Sequence, residues 1–331
     1  MPFPIYARSL PLKSHVGPVH VVKYNTTGQY ILSGGQDKQI LLWNPNSSKL
    51  IKAYHGVSLF SSFCNRNYLL TSAIAIQHGY EVLDISVSHD NAKFTSCGGD
   101  RTVFLWDVTS GSITRRFSGH SARVNSVAFN ADASVVASAS YDTTVRLWDL
   151  KASSAKPVQV LEEAKDSVSC VLIRGTQIIT GSVDGFVRVY DLRKGQLQED
   201  LIGHPVTSLQ DSTDSATLLV STLDNTIRLF DKSNGSLLQS FTGHKNSEYR
   251  ARSCFGDNDV YVVSGSEDGR VFAWDLVSGR VVHELLAPVP KEAGGERKKM
   301  GNVVSCVTFH PKKAQMVSCS TAGLIQVWDS D

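Results

Sequence analysis

Short stretches in which apolar and polar residues alternate with period two recur along the chain, as in Val145-Arg146-Leu147-Trp148, Val187-Arg188-Val189-Tyr190 and Ile227-Arg228-Leu229-Phe230. Alternation over four to six residues, bounded by Gly, Asp, Asn or Ser, predicts short strands joined by tight turns. Further strands flank each stretch: Val124–Phe129 and Val135–Ser138 before the one in the third unit, and Ser112–Phe117 after the one in the second. No segment carries helical periodicity of useful length. The chain is predicted to be all-β.

The same grammar repeats seven times. Each unit ends in an aromatic-acidic pair or a close variant: Trp43-Asn44, Trp106-Asp107, Trp148-Asp149, Tyr190-Asp191, Phe230-Asp231, Trp274-Asp275 and Trp328-Asp329. Six residues before the aromatic stands an acid (Asp37, Asp100, Asp142, Asp184, Asp224, Asp268), with Ala322 in the last unit. Ten before it stands a small hydroxyl residue (Ser33, Ser96, Ser138, Thr180, Ser264, Ser318), with Val220 as the exception. A fixed period of this length is the mark of a repeat architecture, so the 331 residues form one domain instead of the two that length alone suggests.

Composition narrows the function classes. Hydrophobic residues make up 41% and charged residues 19%, which suits a large core and excludes a disordered chain. A net charge of +2 over this length offers no broad field for direct nucleic-acid or membrane-surface binding. The start of the chain lacks a basic, then apolar, secretory pattern, and the apolar run Tyr68–Ile76 is far short of the ~20 residues that span a bilayer. The scattered cysteines (Cys64, Cys97, Cys170, Cys254, Cys306, Cys319) form no C-x-x-C pair and are expected to be reduced, mostly buried thiols, which suits cytoplasm and nucleus. Phosphate loops, zinc spacings and a Gly-x-Ser-x-Gly elbow are not found, so no cofactor, metal or catalytic residue is expected.

The stretches Gly119-His120 to Trp148-Asp149 and Gly243-His244 to Trp274-Asp275 resemble full repeats of the WD-repeat β-propellers, and the resemblance covers essentially the whole chain. It implies seven four-stranded blades around a central channel, leaving only short protected edges. The chain stops two residues after Trp328-Asp329, so Ile5–Leu10 is expected to supply the outer strand of the last blade and close the ring. Four units carry a complete polar quartet: His15/Ser33/Asp37/Trp43, His78/Ser96/Asp100/Trp106, His120/Ser138/Asp142/Trp148 and His244/Ser264/Asp268/Trp274. Ser, His and Asp together suggest a hydrolase triad. A triad, however, occurs once at one cleft, whereas this set recurs around the ring with Trp in it. Family resemblance implies a brace in which indole N–H, hydroxyl, imidazole and carboxylate are linked in series. The fourth unit lacks Gly-His and has Tyr190, the fifth has the non-donating Phe230, and the seventh has neither His nor Asp, so these are expected to be the weaker blades.

Two spacings are irregular. The aromatic-to-aromatic steps are 63, 42, 42, 40, 44 and 54 residues. The long last step places a Pro/Gly/charge loop at 287–299, between blades six and seven. Removing 57–77 from the first would join Tyr54-His55-Gly56 to His78-Gly79-Tyr80 and restore a 42-residue step. Valine codons begin GT and a glutamine codon is CAG, so Val57 to Gln77 has the form of a translated intron. A genuine loop insertion is the other reading.

Residues beside the blade Asp and after the Gly-His position point to one face in this grammar. Tyr80, Glu81, Arg123, Tyr141, Lys165, Asp166, Tyr249 and Glu267 are the candidates there for contacts with a protein partner. The strings His78-Gly79-Tyr80-Glu81-Val82-Leu83-Asp84, Val187–Leu197 and Gly243-His244-Lys245-Asn246-Ser247-Glu248-Tyr249 resemble the mitogen-activated protein kinase organizer type of WD-repeat scaffold. That resemblance implies a monomeric ring that gathers kinases of a signalling module and associates with spliceosomal proteins during pre-mRNA splicing. A competing likeness is to substrate receptors of cullin-type ubiquitin ligases, through the box ending Tyr190-Asp191-Leu192-Arg193, with Arg193 as the adaptor contact.

Overall fold

The period-two stretches form strands at the expected places. In the third unit the strands are Val124–Phe129, Val135–Ser140, Val145–Asp149 and Gln159–Leu161, paired antiparallel in that order. The computed structural model describes residues 3–8, 15–54, 78–288 and 302–330. Among these there are seven four-stranded antiparallel sheets and no helix. The molecule is a seven-bladed β-propeller.

Six blades are consecutive in sequence, and the seventh is built from both ends of the chain. Tyr6–Arg8 pairs with Ile325–Asp329 in the register Tyr6↔Asp329, Ala7↔Trp328, Arg8↔Val327. Phe3 anchors this strand, buried against Tyr261, His283 and Phe309. At the other side of the seam, Gly323 has φ +82° and approaches Gly17 so closely that a Cβ would lie 2.9 Å from the Gly17 carbonyl oxygen. Only glycine meets both conditions without strain.

No single core exists. Among the described residues, apolar side chains form seven clusters, each sandwiched between neighbouring sheets. One joins blades 7 and 1 through Cys306, Val317, Ile325, Val19, Ile31 and Trp43, while another joins blades 3 and 4 through Ala137, Leu147, Val171 and Ile178. Inner and middle strands therefore bury both faces: all residues of Ile31–Gly35 and Gln315–Ser320 are buried. The outer strand Gln196–Leu201 is almost wholly exposed. Each sheet depends on two neighbours for burial, which is why a closed ring is the stable arrangement. The five described cysteines are free, buried thiols.

The candidate insertion 57–77 and nearly all of the loop 287–299 lie outside the described residues.

Candidate functional site: the loop face and the channel it covers

Three quartets hold the loop face in shape. In blades 1, 2 and 3 the indole Nε1 lies 2.8–2.9 Å from the serine Oγ, which lies 2.7–2.8 Å from histidine Nε2. Histidine Nδ1 in turn lies 2.6–2.9 Å from the aspartate. The indole can only donate, so the single hydroxyl proton goes to Nε2 and Nδ1–H points at the carboxylate. Four side chains from a loop, a second strand, a turn and a third strand are thereby tied in one chain. Every polar atom in it is satisfied, which strengthens each bond in a low-dielectric setting. Burial alone would raise the Asp142 pKa, but bonds from His120, Thr144 and the Ser121 N–H outweigh it and hold the carboxyl well below its usual range. Asp37 is lowered in the same manner through His15 against the opposing effect of burial.

The fourth quartet does not assemble. His244 is buried, and neither ring nitrogen has a hydrogen-bond partner. Trp274 donates to the Thr242 carbonyl, Ser264 to the Gly265 carbonyl, and Asp268 is turned toward Arg270 at 3.7 Å. The cause is legible in the spacing from His to Ser: 18 residues in the three assembled quartets, but 20 in blade 6. Two extra residues after the histidine move it out of register with the strands. Ser266 accepts from the Lys245 N–H, the role that Asp142 plays toward Ser121 in blade 3. Burial pushes the His244 pKa down to about 4.

The other blades use different ties. In blade 4 the buried Arg188 guanidinium contacts Ser182 (2.8 Å), Asp184 (3.0 Å) and Glu199 (2.6 Å). In blade 5 Arg228 reaches Asp224 (2.5 Å) and Thr222 (2.7 Å). Of the quartet, blade 7 keeps the Trp328–Ser318 bond, at 2.9 Å. Blade 4 thus replaces the missing histidine chain with an arginine on its third strand, and in blade 5 the third-strand Arg228 lies closer to Asp224 than His204 does, at 3.7 Å.

The braced turns set out the partner candidates. Pairs such as Val124↔Ser140 place the loop entering a blade and the turn between its second and third strands at one end of the ring. Tyr80, Tyr141 and Tyr249 are 61%, 53% and 49% exposed on that face. The Arg123 guanidinium lies 4.9 Å over the Tyr141 ring, a pre-ordered cation–π pair. Lys165 and Asp166 are exposed beside them, and the Lys165 N–H donates to Asp184. Glu81 is half-buried, its carbonyl accepting from the Gly99 N–H.

Glu267 departs from the expectation of a partner contact. Its side chain is only 5% exposed, and it accepts the N–H groups of Ser247, Glu248 and Tyr249 at 2.6, 2.6 and 2.9 Å. It shapes the loop that presents Tyr249. Arg193 is exposed in the turn between Phe186–Asp191 and Gln196–Leu201, on the opposite face.

Sequence reasoning implied a central channel but missed the charged residues that line it. The seven inner strands line a central cavity of about 480 Å³. Asp84, Arg250 and Arg252 meet in its wall. Asp84 accepts from Arg252 (2.5 Å), the Ser126 hydroxyl (2.7 Å), and the Val127 and Ile85 N–H groups. Arg252 also donates to the Leu83 carbonyl (3.0 Å), and Arg250 donates to the carbonyls of Asn125 (2.6 Å) and Thr207 (3.1 Å). Blade 6 thereby reaches blades 2, 3 and 5 across the ring. Burial would raise the Asp84 pKa, but the Arg252, Arg250 and Lys23 charges more than offset it and hold the carboxyl low. Burial likewise opposes the charge on Arg252, yet Asp84 raises its pKa overall. The available signal was Arg250-x-Arg252, two cations at strand spacing where the other units, apart from Asp84 in the second, place small or apolar residues. Among the described residues no group of three or more His, Cys, Asp or Glu is placed to hold a metal.

Comparison with known proteins agrees with this architecture. Residues 8–44 and 297–329 match the family described as WD domain, G-beta repeat, and 72–257 match the Nucleolar protein 10-like N-terminal domain. The chain is 42% identical over 312 residues to WD repeat domain-containing protein 83 of Rattus norvegicus, covering 94% of this chain and 88% of that one. The Xenopus tropicalis protein of the same name is 41% identical over 319 residues, covering 96% and 90%. A homolog from Dictyostelium discoideum is 31% identical over 349 residues, covering 96% of each chain.

Proposed function

Since the chain belongs to the WD-repeat β-propeller family, in the branch of WD repeat domain-containing protein 83, we propose that it is a non-catalytic platform that gathers kinases of a mitogen-activated signalling module and serves spliceosomal assemblies in the nucleus and cytoplasm. The observation that carries the platform reading is the loop face itself. Tyr80, Tyr141 and the Arg123–Tyr141 pair stand beside the quartets of blades 2 and 3, and Tyr249 stands on a loop held by Glu267. Rigid aromatic and arginine side chains lose little entropy on contact, which is why they dominate protein–protein interfaces. The kinase and splicing assignments rest on the resemblance of the quoted strings to the organizer type.

Affinity capture with the whole chain, compared with a Tyr80→Ala/Tyr141→Ala/Tyr249→Ala variant, tests the reading. Loss of co-purifying kinases or splicing proteins by a variant of unchanged melting temperature supports it. An identical partner set for both overturns the assignment of the loop face. Capture of a cullin adaptor that is lost in Arg193→Ala replaces it with the ubiquitin-ligase reading.

A further inference from the structure

The channel holds more positive charge than the protein neutralises. Four cations line it, Lys23, Arg174, Arg250 and Arg252, against the single lining carboxylate of Asp84. Asp84 is fully engaged by Arg252, and Arg174 is paired outside the cavity with Asp211 at 3.0 Å. Arg250 has only carbonyl acceptors, and among the described residues neither it nor Lys23 has a carboxylate partner. Carbonyl oxygens satisfy N–H groups without cancelling a charge, and an unpaired charge enclosed by protein is costly. Arg250 is half-buried in the channel wall. Burial and the neighbouring Arg252 push its pKa down to about 10, so it stays cationic at neutral pH under electrostatic stress.

The shape of the cavity selects the ligand. Its wall extends from Asp84, Ser126 and Arg252 near the starts of the inner strands to Asn25, Arg174 and Pro311 at or beyond their ends. The cavity therefore runs from the arginines toward the face opposite the quartets. Ser86, Ser208 and Thr308, each bearing a hydroxyl, also line it. Two unneutralised cations match a dianion better than a single carboxylate, and separate donors match an anion with several oxygens. We propose that the channel binds a small, soluble phosphate-bearing anion, which enters from the face opposite the quartets and neutralises Lys23 and Arg250. The partner-binding loops and this site then occupy opposite ends of one channel, so the two can be engaged together.

Isothermal titration of the whole chain with inorganic pyrophosphate, at constant ionic strength set by chloride, tests the site. Saturable binding of one equivalent is expected. Removal of one charge contact in Lys23→Gln weakens it by about tenfold, and Lys23→Glu abolishes it. Among the described residues the Lys23 side chain makes no hydrogen bond or ion pair, so Lys23→Gln keeps the wild-type melting temperature and is the variant that reads binding alone. Lys151→Gln, in an exposed turn, binds as wild type does. Absence of saturable binding, or equal binding by Lys23→Glu, overturns the proposal. So does binding of a phosphoserine peptide without any binding of pyrophosphate, which would assign the cavity to a protein partner instead.

Discussion

Blades 3 and 6 carry the same four residue types at the same two offsets from the tryptophan, yet only blade 3 links them. His120 contacts Ser138 at 2.8 Å and Asp142 at 2.9 Å, whereas His244 contacts neither Ser264 nor Asp268. The difference is two residues on the C-terminal side of the histidine. Blade 2 supplies the control. It has 21 surplus residues by spacing, 57–77, but all of them precede His78, and its quartet is intact. Extra chain before the histidine leaves the quartet's internal register alone; extra chain after it destroys that register. What blade 6 gains is a loop long enough to carry Tyr249 to the surface and Arg250 and Arg252 into the channel. Its inner strand is correspondingly short, Ser253–Gly256, and lacks the bulge present in the inner strands of the other six blades.

The comparison breaks if blade 6 proves to be held by its quartet residues instead of by its channel arginines. The largest effect is therefore expected from Asp84→Ala, which strands Arg252 in the protein interior at a cost of roughly 3–5 kcal/mol. Urea unfolding measures it, and a loss below about 1 kcal/mol would show that the cross-channel tie contributes little. Next, Asp142→Ala is expected to cost about 1–3 kcal/mol, because His120, Thr144 and the Ser121 N–H lose their acceptor. Asp268→Ala should stay within about 0.5 kcal/mol. Equal losses in the two variants would mean that the blade 6 quartet forms in solution.

Acid sharpens the contrast. The folded-state pKa of His244, about 4, lies below its ordinary value of 6.5. Its depressed value makes this contribution complete above pH 6.5 and progressively lost as pH falls toward 4, since the unfolded chain binds the proton first. His244→Phe removes that penalty, sparing about 2 kcal/mol at pH 5. The melting-temperature drop from pH 7 to pH 5 should therefore be smaller in His244→Phe than in wild type; an equal drop would place a partner on His244. Asp142 behaves oppositely in origin, since its carboxyl is depressed by bonds it makes, and its contribution fades only as pH falls below the ordinary carboxylate range. The smallest effect is expected from deleting 57–77, which should leave the melting temperature unchanged. Messenger RNA spanning Gly56 to His78 distinguishes a retained intron from a coded loop: a continuous transcript in every condition removes the intron reading.

Much of the fold was legible because each blade's instructions are local. The offsets Ser33–Trp43, Ser96–Trp106 and Ser138–Trp148 measure the distance around one hairpin, where backbone pairing sets the register before any tertiary contact exists. The short count of outer strands likewise pointed to Tyr6–Arg8 as the closing strand. The misread parts have a common cause. His244 looked equivalent to His120 because type and motif matched while the loop length did not, and Glu267 looked exposed because a turn position does not reveal what backbone N–H groups surround it. Arg188 and Arg228 looked like ordinary strand polar residues because period-two alternation does not show that their guanidinium groups reach the turn acids Asp184 and Asp224.

The chain's own order of residues determined seven sheets, their antiparallel registers and the need to close the ring, since these follow from periodicity within about 40 neighbouring residues. Only the closed ring decided what faces the channel. Arg252 meets Asp84 across 168 residues and Arg250 meets Asn125 across 125, and no local pattern encodes such pairs. They come together because all seven inner strands converge on one axis, where charges distant in sequence share a confined, poorly solvated space.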